Sequence, residues 1–263
     1  MDARLRQRLE QMLAEDERPP PERRRLAALM ARFARIDAPP DPYGLVPRWD
    51  ALQAELVAAT AGDDGERLEE AFLALYAHLH GHEAPYTAAE RRRMDAAGGY
   101  WNHAGGLTPV LKAPDHLFPQ ARSADLGAGN GLQGLLMQLL APHACTVQVE
   151  ISSRALAFGS ALQQWLGIAD HRVEWRAADV RDVDAGGFDL LYLYRPLRPT
   201  GPGHAFYRRL AGQLAARSRP AVVFSIADCL RDYLGPAFEV FYGDGQLTCI
   251  RGPLSGPSQL REG

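Results

Sequence analysis

The first ninety or so residues carry apolar positions at helical spacing and no convincing strand pattern. Apolar residues recur every three or four positions, as one buried face of an α-helix requires. The stripes are Leu5, Leu9, Met12 and Leu13; Leu26, Leu29, Met30, Phe33 and Ile36; Trp49, Leu52 and Leu56; and Leu68, Phe72, Leu75, Tyr76 and Leu79. Proline-rich stretches follow the first two stripes, and proline cannot continue a helix. The pattern predicts four helices.

A fifth, short helix is predicted by its end signals. Thr87 and Glu90 have the spacing of a capping box, in which each side chain bonds the other residue's backbone N–H. Gly98 and Gly99 provide a stop, because glycine readily adopts the left-handed conformation that ends a helix. Residues 1–97 are therefore predicted to form a helical N-terminal domain, on the cap or substrate side of the protein.

From about residue 120 the pattern changes to short strand-like runs that alternate with helical segments. The predicted strands are "ADLGA", "TVQVE", "RVEWRAA", "FDLLYLYR", "PAVVFSIA", "AFEVFYG" and "LTCIRG". The predicted helices are "LQGLLMQLLA", "SRALAFGSALQQWLG" and "GHAFYRRLAGQLAAR". Such alternation favours an α/β fold with a mainly parallel sheet, and the Asp-Gly turn before "LTCIRG" adds a hairpin with an antiparallel strand. We predict a core over residues 121–263, joined to the helices by a lid-like segment over residues 98–120.

Charge and end signals restrict the partners and the compartment. The net charge is −3, which gives no general attraction to nucleic acid or to anionic membranes. The N-terminal "MDARLRQRLEQ" is charged where a secretory signal would be apolar, and no apolar run reaches a bilayer-spanning length. We expect a cytoplasmic protein that acts without a membrane, and a homodimer stays open.

The metal-binding residue types do not form a recognisable site. The cysteines and the clustered histidines are Cys145, Cys229, Cys249, His78, His80 and His82. The cysteines are far apart and lack a CxxC spacing, so core thiols are expected. Gly81 is expected to end the helix within the histidine cluster, which favours a surface cluster over a metal site. We predict no metal.

A glycine-rich turn, "SADLGAGNGLQGLLMQ" from Ser123 to Gln138, carries the clearest chemical signal. Its spacing matches the dinucleotide pattern G-x-G-x-x-G poorly. Its D-x-G-x-G-x-G string resembles motif I of the class I S-adenosylmethionine-dependent methyltransferases, with Asp125, Gly127, Gly129 and Gly131 at the matching positions. The resemblance implies that this turn, Ala128 included, surrounds the methionine part of the cofactor and that Asp125 holds its amino group.

Two further acids stand where the same family would have them. Glu150 ends the second predicted strand, and the resemblance implies that it binds the ribose hydroxyls, with Ile151 beside it. Asp179 follows the third strand and is implied to meet the adenine amino group, with Val180 beside the ring. The resemblance covers about the last 140 to 160 residues. It implies a Rossmann-like sheet of seven strands in which only the last is antiparallel.

The segment after the fourth strand is where an acceptor and the methyl group would meet. It contains Tyr194 and Arg195 in the string "LYRPL" and lacks the Asn/Asp-Pro-Pro-Tyr string of enzymes that methylate amide or base nitrogens. It also lacks a cysteine nucleophile. A ring at Tyr194 could lie against the sulfonium by cation–π attraction and its phenol could orient an acceptor, although a core tyrosine fits equally well. Tyr192, on the same strand face, is predicted to be core.

A second aromatic and polar cluster precedes the sheet, in "GGYWNHAGG". In the family this segment often covers the cofactor, so Tyr100, Asn102 and His103 are candidate lid and catalytic residues, with His103 a candidate general base. A tightly packed turn between domains is the alternative.

These patterns together predict an S-adenosylmethionine-dependent methyltransferase that acts on a small molecule or natural product by in-line transfer, with nucleic acid not expected as a partner. Three alternatives stay open: transfer or cyclisation of the aminocarboxypropyl arm of the cofactor, methylation of a protein or peptide, and a non-catalytic subunit that binds the cofactor.

Overall fold

The computed structural model describes residues 20–80, 86–100, 105–227 and 229–254. The chain divides into two compact units. One comprises the described parts of Met1–Ala84 and Asn102–Leu107, and the other the described parts of Pro85–Trp101 and Thr108–Gly263. The predicted helix over residues 5–13 lies outside the described residues. The domain boundaries at residues 97 and 120 stay predictions. The division into two compact units places residues 86–97 in the unit that contains the sheet.

The first unit contains three of the predicted helices. They are α1 (Pro21–Phe33), α2 (Trp49–Ala59) and α3 (Gly65–Leu79). Their apolar stripes form a core in which the ring of Phe33 lies 6.1 Å from that of Trp49 and 5.7 Å from that of Phe72. The Asp64 side chain caps α3 by accepting a hydrogen bond from the Arg67 N–H. The helical interpretation of these stripes is confirmed.

The second unit begins with the short helix that the capping box predicted. In α4 (Ala88–Ala97), Thr87 Oγ1 accepts from the Glu90 N–H, and a Glu90 carboxylate oxygen accepts from the Thr87 N–H. Gly98 ends the helix with φ at +74°. Both predicted end signals are confirmed, and the chain continues through α5 (Thr108–Lys112) into the sheet.

Within the described residues, seven strands and three longer helices follow in the predicted alternation. They are β1 (Arg122–Leu126), α6 (Leu132–Leu140), β2 (Cys145–Glu150), α7 (Ser153–Trp165), β3 (Val173–Ala177), β4 (Leu190–Tyr194), α8 (Pro202–Ala215), β5 (Ala221–Ile226), β6 (Glu239–Gly243) and β7 (Leu247–Gly252). The order across the sheet is β3-β2-β1-β4-β5-β7-β6. Strands β1 to β5 pair in parallel, and β7 is antiparallel to both β5 and β6. The predicted fold class is confirmed.

Alternating side chains of the central strands fill cores on the two faces of the sheet. Leu191 and Leu193 of β4 belong to one apolar cluster, and Leu190 and Tyr192 belong to the other. The loops that follow β1, β2, β4 and β5 all leave the sheet at its carboxyl edge, because these strands run in parallel. Ligands of open α/β sheets bind at this edge, outside the carboxyl ends of the strands.

No helix in the described part of the chain combines the length and the apolar character that crossing a bilayer would require.

Candidate functional site

The glycine turn after β1 has the backbone conformation for which its sequence is suited. Gly127, Gly129 and Gly131 have φ of +86°, +57° and +69°, a region that residues with a Cβ avoid. A Cβ at Gly131 would lie 2.8 Å from the Trp175 ring. The N–H groups of Gly127 and Ala128 both donate to the Val149 carbonyl at 2.9 Å, which ties the turn to the end of β2.

Asp125, the leading acid of the motif, is a buried carboxylate with an unused oxygen. Its side chain is 3% exposed and accepts a hydrogen bond from the backbone N–H of Gly134, in the first turn of α6. Among the described residues Asp125 Oδ2 has no hydrogen-bond partner. Burial, reinforced by the negative charge of Glu150, raises the pKa of Asp125 to about 8. A cationic group beside this oxygen would offset the cost of burying the charged form.

Glu150, at the end of β2, joins the glycine turn to the start of α7. Its Oε2 accepts from the Gly129 N–H at 2.9 Å, and its Oε1 accepts from the N–H groups of Ile151 and Ser152 at 2.7 and 3.0 Å. Burial raises the pKa of Glu150 despite these three donors. The turn and two of the three acids that the resemblance selected, Asp125 and Glu150, therefore lie together at the carboxyl edge of the sheet.

Tyr86 is a contact of this site that the sequence analysis missed. Its phenol donates a hydrogen bond to the Glu150 carboxylate, and burial, with the charges of Glu150 and Glu90, raises the pKa of Tyr86. Glu90 in turn accepts hydrogen bonds from the Ser152 hydroxyl and the Ser153 N–H. The capping box was the available signal, because it positions Tyr86 immediately before α4.

Asp179, after β3, is paired within its own loop. Its carboxylate accepts from Arg181 Nε at 3.0 Å and from the second guanidinium nitrogen, Nη2, at 2.8 Å, and it also caps a short 3₁₀ turn that begins at Val180. Burial alone would raise the pKa of Asp179, but the hydrogen bonds from Arg181 lower it overall. Val180 is buried beside it. The adenine contact assigned to this pair stays a prediction.

The two tyrosines of β4 share one face, as predicted. Tyr192 is 3% exposed within the apolar cluster that contains Phe224, so its assignment to the core is confirmed. Tyr194 is half-buried and packs against the same cluster at the end of the strand. Its catalytic assignment stays a prediction.

The segment before the sheet meets the loop after β4. Gly99 forms an antiparallel bridge with Leu197, and the Tyr100 N–H donates to the Pro196 carbonyl at 3.4 Å. The Arg195 guanidinium lies 4.8 Å from the centre of the Tyr100 ring. Tyr100 therefore contacts the segment where the acceptor was expected. The other two lid candidates, Asn102 and His103, lie outside the described residues.

A cavity of about 520 Å³ opens beside the loops that follow β4 and β5. Its lining residues come from both loops, from α8 and from the turn before β6. They are Arg195, Pro199, His204, Arg208, Ala227, Cys229, Asp232 and Tyr233. The Tyr233 hydroxyl and His204 Nδ1 are 2.5 Å apart, and the Tyr233 ring stacks on Tyr207 at 5.5 Å, so one wall is held by side-chain contacts.

Two residues in the cavity wall have strained backbones. Arg195 and Ala227 have φ of +44° and +58°, and they are the non-glycine residues with positive φ within the described chain. Each such conformation costs on the order of 1 kcal/mol and persists where the surroundings enforce it, often at functional sites. The two residues directly follow the last residues of β4 and β5, so the strain is confined to this edge of the sheet.

Cys229 brings a thiol next to the loop after β4, a segment whose own sequence contains no cysteine. Sequence order places it after β5, but Arg195 Nε donates to its Sγ at 3.3 Å, next to the loop after β4. The assignment of Cys229 as a core thiol holds for its burial, since it is 6% exposed. Its position in the cavity wall depended on the pairing of β4 with β5 and had no signal in the sequence.

Of the clustered histidines, His82 lies outside the described residues, whereas His78 and His80 are described. His78 Nε2 accepts from the Arg48 N–H at 3.1 Å, and the His80 ring lies 4.7 Å from that of Tyr76. The described residues contain no group of three or more histidine, cysteine, aspartate or glutamate side chains that could hold a metal ion.

The residues present fit S-adenosylmethionine. Its ammonium suits the unpartnered Asp125 Oδ2, and its ribose hydroxyls suit the Glu150 carboxylate. Burial of both acids would be offset by a cationic ligand.

No protein-family model matches the chain, and no curated protein matches it. Among solved structures, it is similar to an RNA methyltransferase from Salinibacter ruber in complex with S-adenosyl-L-homocysteine, at 21% identity over 59% of this chain and 95% of that one, with a TM-score of 0.43. A SAM-dependent methyltransferase from Agrobacterium tumefaciens is 10% identical over 58% and 64%, with a TM-score of 0.40. A ribosomal protein L11 methylase from Lactobacillus delbrueckii subsp. bulgaricus is 15% identical over 55% and 74%, also at 0.40.

Proposed function

We propose that this chain is an S-adenosylmethionine-dependent methyltransferase that acts on a small-molecule acceptor. The observation that carries the cofactor assignment is the pair of buried acids at the glycine turn, Asp125 with an unpartnered oxygen and Glu150 bonded to the Gly129 N–H. When bound, the cofactor supplies an electrophilic methyl group on a sulfonium. The chain's contribution is to hold the ammonium and the ribose and to align an acceptor with that methyl group.

The cavity after β4 and β5 supports a small acceptor. Its volume of about 520 Å³ falls within the range of about 300–1,000 Å³ that is usual for small-molecule sites. The loop that forms its wall also approaches the glycine turn, since a Cβ at Gly127 would lie 3.1 Å from Pro196 Cβ. Tyr194, Tyr100, Asn102 and His103 remain the candidates for acceptor positioning and proton removal.

Isotope transfer tests the proposal. The full chain is incubated with S-adenosylmethionine labelled on the methyl group and with a cell extract separated into small molecules, RNA and protein. We expect S-adenosylhomocysteine to form together with label in the small-molecule fraction. Label in RNA or protein would contradict the acceptor class. Release of methylthioadenosine would instead indicate transfer of the aminocarboxypropyl arm, and cofactor binding without any product would indicate a non-catalytic subunit.

A further inference from the structure

The cavity after β4 and β5 is lined by more cationic than anionic side chains. Arg195 and Arg208 carry fixed positive charge and His204 adds two ring nitrogens, whereas Asp232 is the acid in the described lining. Arginine presents a planar fork of N–H donors that matches carboxylate and phosphate oxygens. The composition of the wall therefore points toward an anionic group rather than an ammonium.

Arg195 is fixed in place and still has donors to offer. Its Nε donates to Cys229 Sγ at 3.3 Å and its guanidinium lies over the Tyr100 ring at 4.8 Å. Within the described residues, its two terminal amino groups form no hydrogen bond or ion pair. A guanidinium held by its Nε and its face, with the outer edge unused, is preorganised to bind an oxyanion.

Arg208 approaches the cavity from α8. It lies one helical turn after His204, so both side chains project from one face of the helix. Arg208 is exposed, and among the described residues no carboxylate pairs with it. Both residues belong to the first two turns of α8, which begins at Pro202.

We propose that the acceptor is a small molecule with an acidic oxyanion, a carboxylate or a phosphate monoester, which Arg208 and Arg195 bind in this cavity. That the bound molecule is a methyl acceptor rests on the proposed function. The binding of an anion in this cavity does not, because it can be measured without turnover. His204, held by the Tyr233 hydroxyl at 2.5 Å, contributes the third polar group of the wall.

The test uses inorganic phosphate and benzoate as probes, with benzyl alcohol as the neutral counterpart of benzoate. Binding to the full chain is followed by backbone amide shifts in NMR at constant ionic strength. We compare the wild type with Arg208→Gln, with Arg208→Lys and with Arg219→Gln. Arg219 is an exposed arginine just before β5, at the opposite edge of the sheet, so its variant is a matched loss of one charge.

We expect at least one of the two anions to shift amides of the loops after β4 and β5, and benzyl alcohol not to do so. Arg208→Gln should weaken the binding of that anion by about tenfold. Arg208→Lys should weaken it by less, because a lysine keeps the charge but loses the planar fork of N–H donors. Arg219→Gln should leave the affinity unchanged. Which anion binds more tightly distinguishes phosphate from carboxylate.

Three results would overturn the inference: equal weakening by Arg208→Gln and Arg219→Gln, no shift with either anion, or tighter Arg208-dependent binding of a single-stranded oligoribonucleotide than of the small anions. Each of them leaves the isotope experiment unaffected. Failure of the anion site and failure of methyl transfer are therefore separate outcomes.

Discussion

At the scale of single residues, the proposed cofactor site contains two carboxylates that are costly to keep buried. Asp125 has a pKa of about 8 and Glu150 a raised pKa, both chiefly because burial disfavours the charged form. A raised carboxyl pKa means that the folded protein binds a proton more tightly than the unfolded chain. The folded state therefore loses stability as pH rises from the unfolded value near 4 toward 8. A bound cation would reverse this penalty.

Asp125→Asn should accordingly stabilise the ligand-free protein and weaken the binding of S-adenosylhomocysteine. The unfolding midpoint of the variant should exceed that of the wild type by more at pH 8 than at pH 5, since the penalty grows by about 1.4 kcal/mol per pH unit over that window. Calorimetry with S-adenosylhomocysteine at pH 7, in buffers of different ionisation enthalpy, should show proton release in the wild type that the variant lacks. Equal proton release in both proteins would exclude Asp125 as the ammonium partner.

Tyr86 and the ribose would compete for one carboxylate. The Tyr86 phenol donates to Glu150, which the resemblance assigns to the ribose hydroxyls. Tyr86→Phe should therefore tighten S-adenosylhomocysteine binding by about tenfold, because a hydrogen bond to a charged group contributes about 1.5 kcal/mol. Calorimetry on the two proteins measures the difference. Weaker binding by Tyr86→Phe would mean that the phenol contacts the ligand instead of excluding it.

At the scale of elements, the amino ends of β1 and β2 are joined by a buried polar network around His143. Its Nε2 lies 2.8 Å from Ser123 Oγ and 2.9 Å from Thr146 Oγ1, and Gln138 of α6 donates to the Thr146 hydroxyl at 3.1 Å. Burial lowers the pKa of His143, so the folded protein holds it neutral. The network fixes α6 against both strands on the side away from the glycine turn.

This network gives a pH dependence of opposite sign to that of Asp125. A lowered histidine pKa contributes stability above the unfolded value of about 6.5, and that stability is lost as pH falls through the folded pKa. Asp125 and Glu150 contribute equally to the wild type and to His143→Gln, so the difference between the two proteins isolates His143. Urea unfolding should show that His143→Gln is less stable than the wild type at pH 7.5 and that this difference in free energy is smaller at pH 5.5. An equal difference at the two pH values would disprove the assignment.

At the scale of the whole molecule, the sequence predicted the order of the helices and strands but not the contacts between residues far apart in the chain. The sheet elements followed from period-two and helical patterns, and the α4 boundaries from Thr87, Glu90 and Gly98, because these signals are local. Tyr86 against Glu150 and Cys229 against Arg195 required strand pairing and helix placement. Those contacts join residues more than thirty positions apart, and neither carries a motif. The cavity after β4 and β5 could not be predicted for the same reason.

Calorimetric titration with S-adenosylhomocysteine tests most directly whether the glycine turn and Glu150 hold S-adenosylmethionine. Glu174→Ala, on β3 with an exposed carboxylate, is the matched control for Glu150→Ala, and circular dichroism checks that both variants fold. Glu150→Gln, which keeps the size of the side chain, serves if Glu150→Ala does not fold. We expect binding by the wild type and by Glu174→Ala, and a loss of about a hundredfold in affinity without the Glu150 carboxylate. Affinity unchanged by removal of that carboxylate, or no binding by the wild type, would contradict the assignment of this site to S-adenosylmethionine.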